Sequence, residues 1–231
     1  MQENWKLDLL SDVGTSEPFV ARIGLGLFDI LDVTNFKERK KINDTIFEIL
    51  LEGLIPAFIS LRELRKGESV PIITINKNYY NLYNHLWVAY KDRMQRVVKL
   101  LGFDVGFLFQ KESQFKQGCE NFLKQHPNVN QAFTKMLADQ RKSWQNILSI
   151  IRNHYLEHKI LDIKQVERFF TIENAEVLFC NCWQAIEMIL VILLRTGMPL
   201  DKGIDIADIP EKERDPSCPK RFRFVIKKIK G

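Results

Sequence analysis

The spacing of apolar positions changes character near residue 35. Before it, residues 1–18 are polar with weak periodicity and read as irregular, and residues 19–33 hold glycine-softened apolar turns suited to a short helix. After it, Ile42, Ile46, Ile49/Leu50, Leu54, Phe58 and Leu61/Leu64 recur at the steps that place side chains on one helix face. Asn35, with Glu38 three residues on, or in second place Thr34 offers a cap, Pro56 is expected to kink or split the helix, and Gly67 ends it.

Residues 70–75 are β-branched and read as a short strand or extended link. A second helical pattern opens at Asn76 or Asn78 and runs through Tyr79, Leu82/Tyr83, Leu86, Tyr90, Met94 and Val97/Val98 to Leu101 and Gly102. Its tyrosines (Tyr79, Tyr80, Tyr83, Tyr90) and Trp87 read first as core packing, with base stacking as the sharper alternative. Residues 112–125 fit a short helix stopped by His126-Pro127, because the residue before a proline resists the α region. His126 reads as a surface residue and His85 as a structural one.

The longest pattern starts at Asn128 or Asn130 and passes through Phe133, Leu137, Gln140, Trp144, Ile147/Leu148, Ile151 and Tyr155. After a linker at 159–173, residues 174–195 are apolar almost all round, as suits a helix in the middle of a bundle, and Gly197 and Pro199 stop it. Residues 221–225 alternate with period two, the pattern of a terminal strand that would pair with 70–75. The chain therefore reads as all-α, a bundle of four to five main helices with minor β or extended segments near 70–75 and 221–226. Its expected divisions are an N-terminal helical extension at 1–75, a bundle core at 76–200 and a basic tail at 201–231.

Composition changes this picture little. With 45% hydrophobic and 27% charged residues a real core is feasible, and 11 Gly against 231 residues favours helices. A net charge of +5 permits contact with a polyanion without demanding it. Cys119, Cys180, Cys182 and Cys218 have no metal-knuckle spacing and read as reduced thiols of a cytoplasmic protein. The first six residues lack a signal-peptide pattern. The apolar run 189–194, bracketed by Glu187 and Arg195, is far shorter than the roughly 20 residues of a membrane span, so no membrane is expected.

Candidate chemistry concentrates at 150–158, which closes the longest helix and holds Arg152, Asn153, His154, Glu157 and His158, with half of the chain's 4 histidines. On a wheel of about 100° per residue centred on Ile151, Phe133, Gln140, Trp144 and His158 share the apolar stripe. Arg152 falls at the edge of that stripe and Asn153 nearly opposite it.

Arg152-Asn153, four further residues and His158, at the end of a bundle helix, resemble the signature of the HEPN superfamily, whose members include RNA-cleaving toxins and abortive-infection and CRISPR-associated ribonucleases. The resemblance rests on seven residues, with the bundle pattern over roughly 128–196 as its context. It implies metal-independent RNA cleavage, without a cofactor, at a site built across a homodimer, with a protein antitoxin as a further partner. In that chemistry His158, with an ordinary pKa of about 6.5, takes the ribose 2′-OH proton or protonates the leaving 5′-oxygen. Arg152 holds the scissile phosphate and offsets its developing charge, and Asn153 orients the phosphate or its partner residue.

Two other readings share these residues. His154, Glu157 and His158 match the H-x-x-E-H arrangement of a zinc hydrolase, although the chain lacks a convincing sheet to complete that fold. A non-catalytic dimeric module for protein interaction or RNA binding needs the helix but not the general base.

Overall fold

The computed structural model of the chain describes residues 6–8, 37–66, 72–153, 168–196, 202–208, 210–213 and 222–228. Among these, helices dominate and form an all-α bundle of five helical rods. The first rod joins α1 (Arg39–Glu48) to α2 (Ile55–Arg65). The second joins α3 (Ile72–Trp87) to α4 (Met94–Leu100). The third is α5 (Glu112–Gln125), the fourth joins α6 (Gln131–Gln140) to α7 (Asn146–Ile151), and the fifth is α8 (Ile172–Thr196).

The expected apolar positions are the core. Ile42, Ile46, Leu54, Leu61, Leu82, Leu86, Met94, Leu137, Leu148 and Ile151 are wholly buried, and the residues of 39–65 share one continuous cluster with those of 79–194. Asn130 caps α6 by accepting a 2.8 Å hydrogen bond from the Ala132 amide, as its side chain favours at an N-cap. At α8 the cap is Thr171, whose hydroxyl accepts from the Asn174 amide at 3.2 Å. Thr34, Asn35 and the short helix expected at 19–33 lie outside the described residues.

Three rods carry a π-helical turn, at Ile49–Leu54, Val88–Arg93 and Arg141–Gln145, and residues 152–153 at the end of the fourth rod are π-helical as well. Each of the three turns closes on an amide bonded five residues back: Ile55 to Leu50, Met94 to Ala89, and Asn146 to Arg141. The first lies just before Pro56, where a kink or split is expected: the α-helix gives way to the π-turn at Ile49 and resumes at Ile55. Proline has no N–H to offer the Glu52 carbonyl, and the His85 Nδ1 reaches that carbonyl from α3 at 2.9 Å. The first two π-turns pack on each other so closely that a Cβ on Gly53 would stand 2.5 Å from the Ala89 Cβ. Arg93 pairs with Glu52 across the same crossing and lies 3.4 Å from Glu48.

The apolar helix α8 packs against α2, α3, α4 and the third π-turn, which is the central position its composition predicts. It has 25 residues, and its most apolar 18-residue stretch has a mean hydropathy of 2.1, so by length and composition it could cross a membrane, more than the run 189–194 indicates. Yet 67% of its apolar window is buried inside the bundle. That burial is what a core helix requires.

The segment at 70–75 differs from expectation, since the chain is helical from Ile72. Ile72 and Ile75 extend backwards the helical series of Tyr79 and Leu82, and that longer period wins over local β-propensity. The expected terminal strand forms as β3 (Phe222–Lys228) but does not pair with 70–75. It is the middle strand of a three-stranded antiparallel sheet, between β1 (Lys6–Asp8) and β2 (Lys202–Asp208). Its register sets Val225 opposite Lys6 and Asp205. Residues 6–8, expected to be irregular, thus have a partner at the far end of the sequence.

Candidate functional site

Arg152 and Asn153 lie at the end of the fourth rod, just past α7. Ile151 is wholly buried, Arg152 is half-buried and Asn153 is exposed, the order that the helical wheel assigns. The Arg152 guanidinium lies over the Trp87 ring, 4.8 Å from its centroid, and its Nη1 donates to the Asn153 Oδ1 at 3.2 Å. The Lys91 ammonium also rests on Trp87, at 5.3 Å. A cation over an indole face gains about 0.5–1 kcal/mol where solvent screens it. That is enough to bias the orientation of Arg152.

His158, His154 and Glu157 lie outside the described residues. The structure therefore brings together Arg152 and Asn153 of the expected site and does not describe His158 beside them. The same holds for the His-Glu-His arrangement of the zinc reading.

A cleft of about 550 Å³ runs beside the fourth rod, lined by Leu108 to Glu112 on one side and by Arg141, Lys142, Gln145, Asn146 and Ser149 on the other. It connects to Arg152 through the aromatic floor: Phe109 meets Trp87 edge-on at 5.7 Å, and Trp87 carries Arg152. Asn146, Ser149 and Asn153 recur at helical spacing on the side of the rod away from the apolar stripe. This polar series was visible in the sequence as the complement of the hydrophobic one. Lys111, Lys142, Asn146 and Ser149 are site residues that apolar periodicity does not mark, because it follows only the buried face.

The cleft walls are fixed by the third π-turn. Arg141 donates through Nη1 to the Leu108 carbonyl at 2.6 Å and through Nη2 to the Gln110 carbonyl, and its guanidinium lies 4.8 Å from the Phe115 ring centre. Gln145 donates to the same Leu108 carbonyl at 2.7 Å and faces the Tyr90 hydroxyl at 3.4 Å. Burial pushes the Tyr90 pKa far up, with Cys182 adding to the shift and Arg141 opposing it, so this phenol stays a neutral donor.

The aromatic helix is chiefly core. Tyr79, Tyr83 and Tyr90 are buried, Tyr79 stacks on Phe170 at 5.2 Å, and the Tyr83 hydroxyl donates to the Phe169 carbonyl at 2.6 Å. They have no exposed face to offer a base. His126 packs between Phe103 and Phe122, at 4.7 and 4.8 Å. Cys119, Cys180 and Cys182 are thiols outside any disulfide, and Cys218 lies outside the described residues.

Compared with known proteins, the chain matches no protein-family model, no curated protein and no solved structure.

Proposed function

We propose that this chain is a HEPN-type protein acting on RNA: a metal-independent endoribonuclease of a defence or toxin system, working in the cytoplasm as a homodimer with a composite site. The observation that carries this reading is the pair Arg152–Asn153, with Arg152 over Trp87, on the same rod as a polar, basic cleft whose lining ends at Ser149. Arg152 binds the scissile phosphate and offsets its developing charge. His158 takes the 2′-hydroxyl proton, the 2′-oxygen attacks phosphorus, and the 5′-oxygen leaves with a proton from the second copy of His158. The products are a 2′,3′-cyclic phosphate and a free 5′-hydroxyl.

The test compares wild type with His158→Ala on labelled single-stranded RNA in excess EDTA. Wild type cleaves and the variant loses at least about a hundredfold in rate, the usual effect of removing a general acid–base group. Equal cleavage by both removes His158 from the chemistry. Cleavage abolished by the chelator points instead to a metal centre. RNA that is bound but left intact identifies a non-catalytic binding module, which needs Arg152 but no base.

A further inference from the structure

We infer that the cleft between residues 108–112 and the fourth rod is a single-stranded RNA track, in which Lys111 and Lys142 hold backbone phosphates and Asn146 and Ser149 bond sugars or base edges. This rests on the RNA-acting reading above and extends it from the cleavage point to the strand that leads there.

The charges lining the cleft divide into committed and available groups. Arg141 is spent on the Leu108 and Gln110 carbonyls. Glu112, the acidic residue of the lining, is offset by Arg141 at 3.4 Å and Lys116 at 4.0 Å. Lys111 and Lys142 are exposed, face the cleft and make no ion pair among the described residues. Two cations without acidic partners, beside an acid already neutralised, give the cleft a net positive field directed at solvent.

Shape favours a strand over a membrane surface. The lining is concave and carries donors and acceptors on one helix face, and the large exposed apolar side chains of the described residues (Phe47, Leu51, Ile59, Val177 and Met188) all lie outside it. Lys142, Asn146, Ser149 and Asn153 follow one another over eleven residues, about 16 Å of helix rise. That length accommodates several nucleotides leading to Arg152. Gln145, only 2% exposed, and Arg141 fix the opposing loop, so the walls are set before a ligand arrives.

The probe is a short fluorescein-labelled 2′-O-methyl oligouridylate, which lacks the free 2′-hydroxyl and separates binding from cleavage. Its affinity is measured by anisotropy across a KCl series for wild type, for Lys111→Ala/Lys142→Ala and for the charge-matched control Lys40→Ala/Lys124→Ala. All four lysines are exposed, so melting temperatures stay level. The cleft variant reduces the magnitude of the slope of log K against log salt by about 1.4, two phosphate contacts' worth for a single strand, and the control leaves it unchanged. Binding without cleavage of ordinary RNA supports the track while removing the ribonuclease reading. The track is overturned if wild type fails to bind, if both variants behave alike, or if the cleft lysines instead govern binding to phosphatidylserine vesicles.

Discussion

Pro56 has no amide proton, and a ring from a different helix supplies the missing donor. The His85–Glu52 contact supplies it beside the π-turn that interrupts the α-helix, at the place where the sequence indicates a kink or a split. Gly53, three residues earlier, shows why the neighbouring rod must come so close. Alanine is the better helix former by about 1 kcal/mol, yet here its methyl would stand 2.5 Å from the Ala89 Cβ and 2.9 Å from its Cα. Overpacking of this kind costs about 1–3 kcal/mol, so Gly53→Ala lowers the urea midpoint with an unchanged slope. A variant more stable than wild type would show that the two rods separate freely. Buried apolar positions such as Ile42, Leu86 and Ile151 were legible at this scale, because burial follows helical period directly. The His85 role was not, since its partner carbonyl belongs to another helix. The Thr171 cap is hidden for a smaller reason: its hydroxyl precedes the apolar series that marks α8.

Single extra residues within a turn shape the elements as much as their ends do. Across a π-turn the buried positions step by four, as in Ile42, Ile46, Leu50, Leu54 and Phe58 or Leu82, Leu86, Tyr90, Met94 and Val98. That stretch of the usual period of about 3.6 is too small for apolar periodicity alone to separate from an ordinary helix. The third π-turn does the most for the candidate site, since Arg141 and Gln145 both reach from it to the 108–110 loop. Replacing Gln145 with leucine deprives the buried Tyr90 hydroxyl of its acceptor and removes one donor from Leu108. Leaving such a group unmet costs about 1–3 kcal/mol. Gln145→Leu is therefore destabilising by that amount in chemical denaturation, and adding Tyr90→Phe costs less than Tyr90→Phe alone. Strictly additive effects would mean the two side chains are not coupled. The Arg152–Asn153 pair was legible as a motif on a predicted helix. The loop, the clamp and the aromatic floor beneath Arg152 were not, because they join residues whose proximity only the tertiary fold creates.

The molecule as a whole protects several acidic groups from ionisation. Burial pushes the Cys119 thiol up to about 11 and the Cys180 thiol up to about 12, and raises Cys182, Tyr83 and Tyr90 as well. A raised folded-state pKa means that the unfolded chain loses its protons first. The stability these groups contribute is complete below pH 9, near the thiols' ordinary value of 9.0, and declines as pH climbs through 11 and 12. Urea midpoints measured at successive pH values from 8 to 12 should be level at first and then fall. A flat profile throughout would place these thiols and phenols in contact with water.

The small sheet, finally, imposes an order on events. Its middle strand β3 is the last of the three in sequence, and β1 and β2 touch it but not each other. During synthesis both flanking strands are made first and must wait, unpaired, until β3 emerges. The helical rods depend on local contacts and can form meanwhile, whereas β1 and β3 must close a loop spanning nearly the whole described chain. Helices first and sheet last is the assembly sequence that this topology dictates.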